Sequence, residues 1–303
     1  MSARLGRVHH AGLATVQDGG RYGYEQVGVP AAGALHRARY LLASALLRGE
    51  PDASVPAVEI LAGRFALSAE TDLVLAVVGP AAVHVAGRPA AVGTVIEVAT
   101  GVEVMVTPQG RGPVYLVVDG WQAARILGSA SYDSFSSLGG RPLAPGDVLR
   151  GSLSGTGRDR VGSFHRPLPA QSGPLRVVAA SRSGDETLLG RTWTVSTVAR
   201  SGTRLGGGST GRAAGGASMP VLPGAVQVTP SGEAIILGPD GGLTGGYPVP
   251  GVVITADLDR ISLLRPGDPV TFAEVSVSQA AGLHTDARRS VSRSLAHPAD
   301  LHG

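Results

Sequence analysis

Short apolar runs separated by turn-forming residues are the feature that most constrains the fold of this chain. The runs are rich in valine, isoleucine and leucine, and glycine and proline punctuate them throughout. Such runs are typical of β-strands with tight connections, and they suit a small closed barrel in which both faces of many strands are covered. The sequence therefore predicts a mainly β fold with strands at residues 74–78, 102–106, 114–118, 177–180, 234–237 and 251–255.

Turn motifs recur along the chain at a nearly constant spacing, which indicates an internal duplication. Thr107 opens a TPxG motif that precedes an apolar run and an Asp-Gly pair, and the same order follows Thr229. Pro145 and Pro266 each open a Pro-Gly-Asp turn. The second member follows the first by 122 residues in one pair and by 121 in the other. Because three features recur in one order at nearly one offset, we predict two related β-domains.

The predicted domains cover residues 1–160 and 170–285. The joint lies in a polar, Gly/Ser-rich stretch at residues 151–173. The arginine-rich residues 286–303 are predicted to form a disordered tail.

Two segments carry helical periodicity. Apolar residues recur at spacings of three and four over residues 33–48, and Gly49 follows as a stop signal, so a helix is predicted there. Its apolar stripe is interpreted as core packing. A shorter helix is predicted over residues 276–283.

Residue types that are absent exclude several kinds of chemistry. The chain contains no lysine, so all 26 basic residues are arginine, and it contains no asparagine and no cysteine. A lysine is needed for a Walker-type phosphate loop, for a Schiff base and for a biotin carrier. Disulfides, thiol nucleophiles and cysteine metal sites are likewise excluded.

Charge and hydropathy narrow the expected partners. The net charge is +3, but the arginines are scattered and aromatic residues make up only 4% of the chain, so nucleic-acid binding is not expected. The arginine cluster from residue 288 to 293 is interpreted as part of a solvated tail. No signal peptide and no apolar stretch of membrane-spanning length are visible, and the eight histidines have no metal-ligand spacing. We expect a cytoplasmic protein without a metal site.

Three glycine-containing segments could bind a ligand. Residues 17–24 (QDGGRYGY) place a carboxylate, a guanidinium and two phenols around three glycines, and the alternative is a turn with a structural Asp–Arg ion pair. Residues 200–208 place two arginines beside a glycine run and could bind a ligand, and the alternative is a long hairpin turn. Residues 244–248 (TGGYP) could form a cradle for an anion or an amide.

In combination, these motifs resemble a known family. In order they are the VQDxGRxGY pattern from Val16, GVP at residues 28–30, GGRPL at residues 139–143, TGGYP at residues 244–248 and ITADL at residues 254–258. The chain resembles the allophanate hydrolase subunit 2 family, also described as biotin-dependent carboxyltransferase-like, which includes the C-type subunit of 5-oxoprolinase. The resemblance covers about residues 8 to 284.

The resemblance implies two cyclophilin-like β-barrel domains and a hetero-oligomer with a subunit 1-type chain, which corresponds to the B-type subunit of 5-oxoprolinase. The implied activity is the opening of a small amide or lactam, 5-oxo-L-proline, to L-glutamate with ATP hydrolysis. Carboxyl transfer from carboxybiotin to a urea-like acceptor, or a regulatory role with a degenerate site, are the alternatives. The sequence departs from the family pattern at His36, Ala199 and Val249, where an acid, an acid and a lysine are common.

The predicted site joins all three segments. Arginine side chains are assigned to a phosphate or carboxylate, and the TGGY residues to the amide. Proton transfer is assigned to the remaining acid. The predicted catalytic residues are Asp18 and Tyr247, and the predicted substrate-binding residues are Gln17, Arg21, Tyr24, Arg200, Arg204, Thr244, Gly245 and Gly246.

Overall fold

Strands dominate the computed structural model of this chain, which describes residues 2–152, 155–169, 171–180, 188–207 and 216–296. The strands of the first half are β1 (Ala3–His10), β2 (Leu13–Gln17), β3 (Ala57–Ala62), β4 (Phe65–Ala69), β5 (Leu73–Val78), β6 (Ala81–Val85), β7 (Arg88–Ala90), β8 (Val95–Val98), β9 (Glu103–Pro108), β10 (Val114–Val118) and β11 (Val148–Gly151). The later strands are β12 (Phe164–His165), β13 (Leu175–Ala179), β14 (Trp193–Ala199), β15 (Gly202–Gly206), β16 (Met219–Pro220), β17 (Ala225–Val228), β18 (Ala234–Leu237), β19 (Thr244–Gly245), β20 (Gly251–Val253), β21 (Pro269–Val270), β22 (Phe272–Glu274) and β23 (Leu295–Ala296).

Helices are few among the described residues. The α-helices are α1 (Arg37–Arg48), α2 (Leu258–Ile261) and α3 (Val277–Ser294), and short 3-10 turns occur at Glu25–Val27, Arg158–Arg160 and Thr255–Asp257. The predicted mainly β fold with few helices is confirmed.

Two sheets pack face to face in the first half. One has the strand order β11-β1-β4-β9-β6-β7 and the other β2-β3-β10-β5-β8.

The position of strand β5 explains why its sequence is apolar throughout. Leu73, Leu75 and Val77 point into the core between the sheets, whereas Val74 and Val78 pack under α1 on the outer face. A strand buried on both faces has no solvent side on which to place polar residues.

The second half forms one strongly curved sheet. Its strand order is β21-β14-β15-β18-β17-β20-β13-β22, so β21 and β22 are the two edges. These edge strands are consecutive in sequence and only Thr271 separates them. The sheet must therefore curl until its edges nearly meet, which gives a nearly closed barrel around Trp193, Leu205 and Ile236.

The two Pro-Gly-Asp turns have the same geometry in both halves. Gly146 and Gly267 adopt φ values of +94° and +92°, in the left-handed region that favours glycine. Gly146 N donates to Val8 O and Gly267 N donates to Val195 O, each at 2.8 Å. Each turn thus donates a backbone hydrogen bond to a strand of its own half, β1 or β14, and this shared geometry supports the duplication predicted from the spacing of these motifs. The domain bounds of 1–160 and 170–285 stay predictions.

The last helix differs from the sequence-based prediction. The sequence predicts a helix only to residue 283 and a disordered tail over residues 286–303, but α3 continues to Ser294. Val291 is buried against α1, and the backbone of β23 pairs with β12. The tail prediction is therefore wrong for residues 286–296, and residues 297–303 lie outside the described residues.

Candidate functional site

Asp18 lies at the end of β2 and is almost completely buried. Its carboxylate accepts hydrogen bonds from Ser129 Oγ at 2.5 Å, Ala130 N at 2.7 Å, Ser131 Oγ at 2.7 Å and Gly20 N at 2.9 Å. Because these donors use most of its lone pairs, the carboxylate holds the loop at residues 129–131 against Gly20. This geometry favours a positioning role, and proton transfer by Asp18 stays a prediction.

The ion-pair partner of Asp18 is Arg125 at 3.3 Å. This contact replaces the Asp18–Arg21 pair that the sequence offers as an alternative. Arg21 is buried and donates instead to the carbonyl oxygens of Ser131 and, at 3.5 Å, Ile126. Its Nη1 has no hydrogen-bond partner among the described residues. The guanidinium therefore retains one unused donor inside a buried side chain.

Gln17 and Tyr24 flank this cluster. Gln17 is buried and donates from Nε2 to Thr15 Oγ1 and Tyr132 O, while its Oε1 has no partner among the described residues. Tyr24 is half-buried and precedes the 3-10 turn at Glu25–Val27.

Arg200 lies between the two halves. Its guanidinium donates to Glu59 Oε1 at 2.5 Å and to Gly33 O at 2.8 Å in the first half. It also holds the Asp240 carboxylate of the second half through Nε at 2.8 Å and Nη2 at 2.7 Å. Glu59 also accepts from Tyr115 Oη at 2.7 Å. We call Glu59, Tyr115, Arg200 and Asp240 the central network.

Charges in the central network stabilise one another. Burial alone would lower the pKa of Arg200, but Glu59 and Asp240 outweigh that effect and raise it. Burial raises the pKa of Tyr115 well above its usual value, and the neighbouring Glu59 adds to the rise. Arg200 therefore remains charged and uses four of its five N–H donors within the protein, which makes it a structural link between the halves.

One loop joins the Asp18 cluster to the central network. Residues 129–131 bind Asp18, and Ser134 donates to Asp240 Oδ2 through its N at 3.0 Å and its Oγ at 2.7 Å. Because Asp240 in turn holds Arg200, the structure brings two of the three predicted segments together through this loop.

The TGGY segment lies on the surface of the second half. Strand β19 pairs with β16, and Gly246 O accepts from Gly216 N at 2.7 Å. Thr244 and Tyr247 are exposed. A Cβ on Gly245 would come within 2.1 Å of Gln227 Nε2, so a larger residue here would require the Gln227 side chain or the segment to shift. Gln227 is buried and its Nε2 has no partner among the described residues.

Arg204 is separate from these groups. Its side chain is half exposed and its Nη1 lies 3.5 Å from a carboxylate oxygen of Glu233 on the barrel surface. Residue 208, the end of the predicted arginine–glycine segment, lies outside the described residues.

His36 precedes α1 at a position where the family pattern has an acid. In this chain the carboxylate at the start of the helix is supplied by Asp259. Asp259 accepts from the first amides of the helix, Arg37 N at 2.6 Å and Ala38 N at 2.9 Å. His36 Nδ1 lies 3.3 Å from the same carboxylate. Burial would raise the pKa of Asp259, but His36 and the two helix amides outweigh burial and lower it. The first turn of α1 is thus capped across the two halves.

A large cleft opens between α1, α3 and the barrel. Its volume is about 1530 Å³, and the described residues that line it include Ala34, Ala199 and Gly238, the neighbours of the central network. The ten predicted site residues are absent from this lining. Among the described residues, no group of three histidines or acids is arranged to hold a metal ion.

Sequence reasoning missed Glu59, Asp240 and Gln227. Glu59 stands alone in the apolar run of β3, and such a charge in a buried strand is a signal that it has a partner. In the sequence, Asp240 stands out only as part of an Asp-Gly turn. Nothing in the sequence distinguishes Gln227 from other strand residues.

Comparisons with known proteins place this geometry in a family. The family model described as carboxyltransferase domain, subdomain A and B, matches residues 27–274. The chain belongs to this carboxyltransferase family. It is 31% identical to the C-type subunit of 5-oxoprolinase from Escherichia coli K12 over 93% of this chain and 95% of that protein. It is 30% identical to the Haemophilus influenzae protein of the same name over 89% of this chain and 91% of that one. The resemblance inferred from the motifs is confirmed.

Solved structures of larger proteins contain the same domain. Urea carboxylase of Kluyveromyces lactis matches with a TM-score of 0.82 and 25% identity over 97% of this chain and 29% of that chain. This chain spans 56% of the solved TTHA0988 chain and 20% of the solved urea amidolyase chain of Kluyveromyces lactis. In the described part of the chain, no helix is long and apolar enough to span a bilayer.

Proposed function

We propose that this chain is one component of a cytoplasmic, ATP-dependent 5-oxoprolinase that opens 5-oxo-L-proline to L-glutamate together with a subunit 1-type partner. The observation that carries the proposal is the 31% identity to the C-type subunit of a 5-oxoprolinase along 95% of that protein's length. A match over nearly the full length of both chains is stronger support for a shared role than a match to one domain of a larger protein.

The TGGY segment provides suitable groups for a lactam. The exposed Thr244 hydroxyl and Tyr247 phenol can bind the polar edge of 5-oxoproline, and Gly245 and Gly246 allow close backbone approach. The unpartnered Nε2 of Gln227 lies directly behind Gly245 and could donate to the lactam carbonyl if the segment moves. Tyr247 remains the candidate for a catalytic role.

Binding of the substrate carboxylate and of ATP would require arginines or the partner chain, since no lysine is present. Arg21 supports this part of the proposal, because it is a buried cation with an unused donor. Arg200 fits it less well, because Glu59 and Asp240 already occupy its donors. We therefore assign Arg200 to holding the halves together and keep Arg21 and Arg204 as ligand candidates.

Co-expression with the partner gene tests the proposal. The purified complex should release glutamate and phosphate when both 5-oxoproline and ATP are supplied. The Tyr247→Phe and Thr244→Ala complexes should lose at least about tenfold in activity, whereas Thr194→Ala, a change at an exposed threonine outside the three segments, should not. A complex that neither turns over nor binds 5-oxoproline in calorimetry would refute the proposal.

Carboxyl transfer from carboxybiotin to a urea-like acceptor is the second candidate. The family model and the urea carboxylase structure favour it. The carboxybiotin would have to be carried by another protein, since this chain has no lysine to modify. Urea-dependent loss of label from carboxybiotin would support this candidate, and a label that is stable with urea would exclude it.

A regulatory protein with a degenerate site is the third candidate. It is favoured by Ala199 and Val249, which replace an acid and a lysine that are common in the family. The Ala199→Asp/Val249→Lys double variant should gain activity if only these groups are missing. A double variant as inactive as the parent would leave the candidate without support.

A further inference from the structure

The cleft between α1 and α3 is strongly biased toward positive charge. Its described lining includes six arginines but only two acids, Glu50 and Asp259. Asp259 is already engaged by the amides at the start of α1 and by His36, so it opposes little of that charge. The arginines are Arg37, Arg39, Arg260, Arg288, Arg289 and Arg293, and of these Arg260 is paired with the buried Asp257 at 3.1 Å.

Arg39 supplies a cation that is partly removed from water. Its Nη1 donates only to carbonyl oxygens, Arg111 O at 3.0 Å and Pro113 O at 3.1 Å. Burial lowers the pKa of Arg39, and the charges of Tyr115 and Asp259 only partly offset that effect. A guanidinium that has lost part of its hydration is stabilised when an anion enters beside it.

Helix α3 supplies further cations from the opposite wall. Arg288 and Arg293 have no ion-pair partner among the described residues, and Arg289 lies 3.8 Å from the exposed Asp286. Arg289 and Arg293 are four residues apart, so they lie on one face of the helix. These arginines form the cluster that the sequence analysis interprets as a solvated tail. They also lie beyond residue 274, where the family match ends.

Between the two basic walls the cleft is lined by apolar residues. Leu41, Val92, Leu168 and Leu258 are among them. The volume of about 1530 Å³ is large enough for a ligand that carries an organic ring system.

We propose that the cleft between α1 and α3 binds a phosphate-bearing small molecule of the nucleotide class. Arginines of both walls would hold the phosphates, and the apolar residues would contact the base. Guanidinium groups suit phosphate through paired hydrogen bonds, and no lysine is present to take this role. The choice of a nucleotide rests on the proposed ATP-dependent function.

Calorimetry with the full-length chain and ADP tests this assignment, with pyrophosphate and adenosine as partial ligands. ADP and pyrophosphate should bind and compete with each other, and adenosine should bind more weakly than ADP. In the triple variant Arg288→Gln/Arg289→Gln/Arg293→Gln, the Kd for ADP should rise at least about tenfold. These side chains lie on the surface of the helix, so the variant should keep its fold, as circular dichroism can verify.

A matched triple variant controls for general electrostatic attraction. Arg64→Gln/Arg88→Gln/Arg150→Gln removes the same charge from exposed residues that do not line the cleft, and its Kd for ADP should stay within about twofold of the parent value. Equal losses in both variants, or no heat from ADP at millimolar concentration, would overturn the proposal. An oligonucleotide that binds more tightly than ADP would also overturn it. Turnover of 5-oxoproline by the complex is measured separately, so either proposal can fail without the other.

Discussion

Arg200→Met offers the sharpest test of the central network. The substitution keeps an unbranched side chain but removes the charge that both Glu59 and Asp240 contact, at 2.5 and 2.7 Å. Both carboxylates are fully buried, so each would lose its cationic partner in a weakly polar environment. Removing one partner of a buried ion pair costs about 3–5 kcal/mol, and two dependent carboxylates place the expected loss at the upper end, about 5 kcal/mol.

Urea unfolding followed by circular dichroism measures this loss. At about 2 °C per kcal/mol for a large domain, the melting temperature should fall by about 10 °C. Arg204→Met is the matched control, because Arg204 lies in the adjacent strand β15 but its side chain is half exposed and only 3.5 Å from Glu233. The control should change the free energy of unfolding by less than about 1 kcal/mol.

Neutralising Glu59 and Asp240, the acids that Arg200→Met leaves unpaired, should restore part of the stability. The triple variant Arg200→Met/Glu59→Gln/Asp240→Asn removes the unpaired charges and should recover part of the loss. A loss below about 1 kcal/mol for Arg200→Met, or a triple variant no more stable than the single one, would refute the reasoning about this network.

Three further changes test other parts of the structure. Asp259→Asn should lower stability at neutral pH. Because the pKa of Asp259 is lowered in the folded state, its carboxylate stabilises the fold above its usual pKa, and this contribution fades as the pH falls. The melting temperatures of parent and variant should therefore converge when they are measured at increasingly acid pH. Gly245→Ala should force Gln227 or the TGGY segment to shift and reduce turnover at least about tenfold, whereas Gly242→Ala, whose Cβ would lie 3.7 Å from the nearest atom, should not; equal turnover in both variants would contradict the close contact. Val291→Ala should cost about 2 kcal/mol in urea unfolding and the exposed Val277→Ala almost nothing; equal effects would show that α3 is not packed as described.

The strands could be predicted from the sequence because their signal is local. The runs at residues 114–118 and 234–237 match β10 and β18, since each is an apolar segment bounded by Gly/Pro turns. Helix α1 begins at residue 37 instead of residue 33, because residues 33–35 bond to Asp18, Glu59 and Arg200 and the cap comes from Asp259. These partners are distant in sequence, and no local pattern shows them.

The same contrast between local patterns and distant partners explains which parts of the candidate site could be predicted. An arginine beside glycines predicts a ligand site, yet whether Arg200 is free depends on Glu59, 141 residues away in the chain. The arginine-rich end of the chain has the composition of a tail, and its packing against α1 through Val291 is a long-range contact that the local sequence does not show. Asp18 and Arg21 are near one another in sequence, but their actual partners, Arg125 and Ser131, belong to a segment that carries no signal.

The cap that Asp259 supplies to α1 has a consequence for how the chain can be divided. A fragment that ends before the barrel would contain α1 without the carboxylate that caps it, and would leave Glu59 without its guanidinium. A fragment that begins at the barrel would keep the pair of Arg200 with Asp240, but Arg200 would lack Glu59 and Asp259 would lack the α1 amides that it binds. Each fragment thus lacks groups that only the other supplies, so we expect the two pieces to fold when produced together and to aggregate when produced apart.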